Sequence, residues 1–232
     1  MANGFMLKNR RVGAYINNDA IQAYPDTQFY PAGALEFSNG MLKPVNAQAD
    51  KVHGIYNGLE IPKEIYPGSR PTADKSSVAY GERCLFIPAI DSEYEFETDM
   101  TGSDALAILN QDALSNADLS TVKFTYASGS SNDFNGGCIL ANGQQRNILT
   151  STRASDTWTI TVDRPFIRAI TTGDKVTATH LNVGIKNCKL SSSAPYYGIS
   201  PTKGDETGGY CEITEMVLDH VVPKASVRFK SA

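Results

Sequence analysis

The chain never sustains an apolar run. Hydrophobic and β-branched residues come in short segments that recur about every ten positions, separated by clusters of Gly, Asn, Asp, Ser or Pro. The best run, Cys84 to Ile90, is interrupted by Pro88 and falls far short of the ~20 residues a membrane helix needs. This pattern predicts an all-β fold, made of small β-barrel or β-sandwich units joined by long loops, with at most one or two short helices. The clearest strand segments are Val12 to Ile16, Ala34 to Phe37, Met41 to Val45, Val52 to Tyr56, Thr121 to Tyr126, Thr157 to Val162, Phe166 to Thr171 and Val183 to Leu190.

Local chemistry sharpens several of these. Ser38-Asn39-Gly40 joins two segments through the Asn-Gly pair that type I′ hairpins favour, because both central positions need positive φ. Alternation in Asp156 to Val162 places Trp158, Ile160 and Val162 on one face, which makes the only tryptophan a core residue. In Asp91 to Thr98 the acids Asp91, Glu93, Glu95 and Glu97 share one face of a strand while Tyr94 and Phe96 take the other. One stretch is ambiguous: Ser103 to Leu114 offers a Ser N-cap, an acidic first turn and helical spacing, yet Leu106 and Ile108 also alternate as a strand would.

Turn-rich stretches suggest the organisation. The Pro- and Ser-containing segment 61–77 reads as an extended loop between an N-terminal arm with a first β unit (1–60) and a larger β domain (78–232), which can also form one continuous fold with the first unit. Ser128 to Gly137 reads as a long, polar hairpin tip. Gly turns between strands around Ala32 to Ile55 are echoed around Thr172 to Ile199; a true repeat there means two related small barrels.

Charge and cysteine usage narrow the function classes. A net charge of -4 opposes non-specific phosphate-backbone binding, and the densest basic group, Lys8, Arg10 and Arg11, reads as a solvated turn, so no direct nucleic-acid partner is expected. The four cysteines, Cys84, Cys138, Cys188 and Cys211, show no CxxC spacing and read as buried free thiols. The N-terminal segment has its charges after a short apolar stretch, the reverse of a secretory signal, which points to synthesis in a cytoplasm and to no membrane partner.

No stretch carries a complete catalytic or metal-binding constellation. His53, His180 and His220 are the available imidazole bases, and no nucleophile elbow accompanies them. Cys138 follows two glycines but runs on into an apolar strand, which marks a core thiol. Ser131 to Gly136 matches the middle of a calcium loop but has Ser131 and Asn142 where the key ligands belong, and Gly204 to Gly209 reads as an exposed turn. The expectation is no catalytic residue, no metal and no cofactor. Candidate partner-contact residues are Phe5 and Leu7 in one terminal arm, Phe229 in the other, and the loop aromatics Tyr66, Phe134, Tyr196 and Tyr197, each with intramolecular packing as its alternative.

Phe29 to Ile55, with its small-residue turn, strand, Asn-Gly hairpin, second strand, spacer and Val52-His53-Gly54-Ile55, resembles a module of tailed-phage head-decoration (capsid cement) proteins. Arg83 to Ile90 followed by Glu93 to Thr98 is similar to the next strands of such proteins. The resemblance covers roughly the first hundred residues and implies a structural virion protein. Such a protein binds the major capsid protein on the capsid exterior, self-associates on the lattice, bridges capsomers and stabilises the expanded shell. The arms, Met1 to Lys8 and Pro223 to Ala232, carry apolar residues among charges, a composition suited to docking on a partner by strand addition. A tail or baseplate component and a carbohydrate-binding β module are the alternatives.

Overall fold

The computed structural model describes residues 5–10, 19–24, 27–30, 32–46, 51–60, 83–89, 94–100, 109–191, 198–219 and 221–230. These residues contain strands and no helix. In chain order the strands are β1 (Met6–Arg10), β2 (Asp19–Gln22), β3 (Ala34–Ser38), β4 (Met41–Pro44), β5 (Gly54–Glu60), β6 (Arg83–Pro88), β7 (Tyr94–Asp99) and β8 (Leu109–Leu114). They continue as β9 (Thr121–Thr125), β10 (Cys138–Ala141), β11 (Gln144–Ala154), β12 (Thr157–Val162), β13 (Lys175–Thr179), β14 (Cys211–Val217) and β15 (Lys224–Phe229). All-β is therefore the fold class.

The first sheet runs β2-β6-β5-β3-β4. Its Asn39-Gly40 hairpin forms as read, with φ of 52° and 77° and Ser38 opposite Met41. The sheet curls until its edges meet: Ala23 bridges Leu42, and the Tyr24 amide donates to the Leu42 carbonyl at 2.7 Å. Inside the curl lie Phe29, Leu35, Leu42, Tyr56, Cys84 and Phe86. Their strand neighbours Ala34, Ile55 and Ile87 face the other way, into a second core. Burial on both faces explains why Cys84 to Ile87 reads as continuous hydrophobicity rather than alternation.

The second sheet, β1-β7-β15-β14, packs on that outer face. Tyr94 and Phe96 turn inward with Val227, Phe229, Ile213 and Phe5, while Glu95 and Glu97 turn out. Both termini enter here, so Lys8 and Arg10 belong to a strand rather than a turn. The sheets also bridge segment 61–77: β6 lies among the strands of the first unit, and β1 pairs with β7.

The third unit is a closed six-stranded barrel, β10-β11-β12-β9-β8-β13. The strand reading of the ambiguous stretch holds for Leu109 to Leu114; the remainder, 103–108, lies outside the described residues, as do Val12 to Ile16 and segment 61–77. Inward alternation fills the barrel with Val122, Phe124, Ile160, Val162 and Trp158. Trp158 stacks on Phe124 at 6.3 Å and meets Phe134 edge-on at 5.1 Å. Outside, the same strands show threonines, which suit a pleated, half-wet surface.

Three expectations need correction. Phe166 to Thr171 is a loop, not a strand, with one bridge at Ile170; Pro165 precedes it, and Phe166 and Ile170 both plug the barrel. Val183 to Leu190 is likewise irregular, carrying bridges at Cys188 and Leu190, because Asn182 and Gly184 turn the chain along the edge of β14. The Ser128 to Gly137 stretch is not a hairpin tip, since β9 and β10 are not neighbours in the barrel. It is a cap: Asn135 Oδ1 accepts from the Ser151 amide at 2.7 Å, and the Phe134 amide donates to Ser151 Oγ at 3.1 Å.

Candidate functional site

Several described groups suited to chemistry are held in the packing of the fold. Burial pushes the Cys138 thiol up to about 12, and its Sγ donates to the Leu181 carbonyl at 3.3 Å, the setting of a core thiol rather than a nucleophile. Cys84, Cys188 and Cys211 are also buried and free, as expected from their spacing. The Nδ1 of His53 accepts from the Phe37 amide at 3.3 Å while its ring meets Phe37 edge-on. His220 lies outside the described residues. Among the described residues no three His, Cys, Asp or Glu side chains gather around a common point.

The calcium-like loop and the acidic turn are brought together as a clasp between the barrel and the loop that leads into β14. Lys203 pairs with Asp133, and His180 Nε2 lies 3.4 Å from Glu206 Oε2. Asp205 accepts from Ser200 Oγ at 2.6 Å and pairs with Lys189 at 3.5 Å. Burial alone raises the Asp133 carboxyl, but the hydrogen bonds from Lys203 and the Ser130 amide outweigh it and hold the group below its ordinary range. Sequence separation hid this cluster, since Asp133 and Lys203 are remote in the chain and only the barrel cap brings them into contact.

The outer face of the second sheet is a ladder of ion pairs. Arg228 meets Glu95 at 2.6 Å, Lys224 meets Glu97 at 2.9 Å, and Lys8 bridges Glu215 and Ser226. The hydrogen bond from Lys224 to Glu97 raises the lysine above its ordinary value, and the bond from Lys8 lowers Glu215. The pairs Arg228–Glu95 and Lys224–Glu97 join the neighbouring strands β15 and β7 and fix their register more than they stabilise it, because exposed pairs are individually weak, whereas Lys8 reaches from β1 to β14.

The expected contact residues are placed differently. Phe5 and Phe229 are buried against each other, ring centroids 5.0 Å apart, and Leu7 is half-buried on the same core. Phe134 is 1% exposed. These phenyl rings pack in the chain's own core because each arm is a strand of the second sheet and the polar loop folds inward over the barrel. β15 has β7 on one side and β14 on the other, so the C-terminal arm has no free edge for strand addition, whereas β1 is an edge strand. Tyr66, Tyr196 and Tyr197 lie outside the described residues.

Among the described residues, exposed apolar side chains occur on strands, as Met6, Phe37 and Leu149 do, but the two most exposed are aliphatic and sit on turns. Ile167 is 86% exposed in the loop after β12, with Phe166 beside it buried beneath the Arg146 guanidinium at 5.4 Å. Val221 is 84% exposed at the tip joining β14 to β15, and Val217 and Val222 flank it in sequence. Their sequence signal is an apolar residue among turn formers, as in Arg164-Pro165-Phe166-Ile167-Arg168, which also reads as strand. Protruding aliphatics on turns can make protein contacts. The chain matches no protein-family model, no curated protein and no solved structure.

Proposed function

We propose that this chain is a structural virion protein of the head-decoration kind, which binds the outer surface of a phage capsid, bridges capsomers and stabilises the expanded shell. The observation that carries the reading is the placement of the segments that resemble cement proteins. Phe29 to Ile55 and Arg83 to Ile90 hold β3, β4, the start of β5 and β6 of one curled sheet with its own buried cluster, and the described part of Glu93 to Thr98 lies in β7 of the sheet packed against it. A bridging protein needs a stiff body with contacts held at its periphery, and no perturbed catalytic group. Sheets joined through a shared core and laced by ion pairs supply the stiffness, and Ile167 and Val221 offer contact points on turns.

The major capsid protein is the partner in this reading, with self-association on the lattice adding strength through many identical sites. Purified protein mixed with undecorated expanded capsids and centrifuged through a gradient is expected to co-sediment. Free protein left at the top of the gradient at micromolar concentration overturns the proposal. The double variant Ile167→Asp, Val221→Asp is expected to keep its melting temperature and lose capsid occupancy; full occupancy removes those two loops from the interface.

A further inference from the structure

Two of the four cysteines face each other. Cys188 and Cys211 form an isolated antiparallel bridge in which each amide donates to the other's carbonyl, at 2.9 and 3.2 Å. Residues in such a reciprocal pair have Cα atoms about 5.5 Å apart, which lies within the separation a disulfide spans. Both side chains belong to the same buried cluster. The other two are placed otherwise. Cys84 lies opposite Ile21 and Leu59, Cys138 opposite Asn147 and Thr179, and both thiols are directed at backbone carbonyls.

We propose that Cys188 and Cys211 are a latent cross-link, a thiol pair that closes to a disulfide when the protein meets a small-molecule disulfide oxidant and then pins the segment around Cys188 to the edge of the second sheet. The inference stands on this pair alone and does not depend on the capsid reading.

The exchange balances in two steps. One cysteine, as thiolate, attacks a sulfur of the oxidant, forming a mixed disulfide and expelling one small thiolate. The second cysteine loses its proton and attacks the protein sulfur of the mixed disulfide, closing the Cys188–Cys211 bond and expelling the other thiolate. Two protein thiols are oxidised, one small disulfide is reduced, and two small thiols leave with the two protons.

The fold also sets when this happens. Burial, reinforced by Glu206 and Asp205, pushes Cys188 up to about 12, and burial with the neighbouring Cys188 pushes Cys211 well above its ordinary value. Thiolate therefore forms only when the segment lifts from β14. That lifting breaks the bonds from the Gly184 amide to the Ile213 carbonyl and from the Ile213 amide to the Ile185 carbonyl. Oxidation accordingly follows opening of the segment and is slow in the closed protein.

The test is incubation of the full chain with oxidised glutathione, with and without sub-denaturing urea, followed by quenching, maleimide counting of thiols in denaturant and peptide mapping. Expected are a fall from four labelled thiols to two, a peptide pair joining Cys188 to Cys211, acceleration by urea, and a melting temperature higher by roughly 5–10 °C. Cys84→Ser is expected to leave the cross-link in place, and Cys188→Ser to abolish it. Retention of all four thiols in sub-denaturing urea, mixed disulfides without closure, or a cross-link through Cys84 or Cys138 each overturns the proposal. The peptide map of the unsubstituted protein decides even where a variant fails to fold.

Discussion

The barrel and the second sheet are both antiparallel, yet they are assembled in opposite ways. Every barrel strand comes from the continuous stretch between Leu109 and Thr179, and closure leaves the barrel without an edge. The second sheet takes β1 and β7 from one half of the chain and β14 and β15 from its far end. Local pairings have little loop-closure entropy to overcome and non-local ones have much. The barrel is thus the part of the molecule able to form first, and the sheet that gathers both ends completes the fold. Trp158, the only tryptophan, sits at the barrel centre, so its emission reports on the barrel while far-UV circular dichroism reports on all sheets.

The largest test of that contrast is truncation of a core phenyl ring in each unit. Phe134→Ala empties the space under the barrel cap and is expected to cost about 3–5 kcal/mol, read as an earlier urea transition of Trp158 fluorescence. A surface contact residue would leave that transition within about 0.5 kcal/mol of the unsubstituted protein. Phe96→Ala, which removes the ring packed 5.7 Å from Phe229, is expected to cost a similar amount. Its loss is expected to appear in circular dichroism while the Trp158 transition stays in place. If both variants shift Trp158 equally, barrel and sheets are one cooperative unit and the distinction falls.

A smaller test uses two glycines that permit close chain approaches. A Cβ on Gly137 would lie 2.0 Å from the Thr179 carbonyl and 2.6 Å from His180 Cα, where β10 meets β13 to close the barrel. A Cβ on Gly209 would lie 2.0 Å from the Cys188 carbonyl, at the loop bound to the second sheet. Backbone cannot rotate aside as a flexible side chain does, so each alanine is expected to cost roughly 1–3 kcal/mol through forced displacement. Gly137→Ala is expected to lower the thermal midpoint seen by Trp158, and Gly209→Ala the midpoint seen by circular dichroism. A shift of under 1 °C in Gly137→Ala would show that barrel closure tolerates a wider gap.

How much of this was legible depended on range. Asn39-Gly40, the inward face of Trp158 and the split between Tyr94/Phe96 and Glu95/Glu97 are set by neighbours within a few residues, and alternation or turn chemistry reads them directly. Phe134 escaped because its polar loop looks solvated until Ser151, on β11, binds Asn135 and draws the loop inward. The arms escaped for a related reason, since nothing near Phe5 or Phe229 in sequence indicates that they meet. The Lys203–Asp133 clasp depends on two loops becoming neighbours only after the barrel has closed. Phe166 to Thr171 misled because one buried ring beside exposed Ile167 imitates strand alternation.

The smallest expected effect concerns acid, and it also separates the two units. Arg168 forms two hydrogen bonds to Asp174, at 2.8 and 3.0 Å, and with the Thr171 amide it lowers the aspartate from its ordinary 3.8 to about 2. A carboxyl whose folded value is depressed binds its proton more readily in the unfolded chain. Its stabilisation is therefore complete above about pH 4 and drains away as pH falls toward 2. Glu215, lowered by Lys8, acts in the same direction in the second sheet. Asp174→Asn is thus expected to flatten the fall in the Trp158 thermal midpoint between pH 4.5 and about pH 2.5, whereas Glu215→Gln is expected to leave that barrel profile unchanged. Because the Arg168 side chain is half exposed, added salt is expected to reduce the difference further. An Asp174→Asn profile that overlays the unsubstituted one would mean that the ion pair orders the turn into β13 without linking barrel stability to pH.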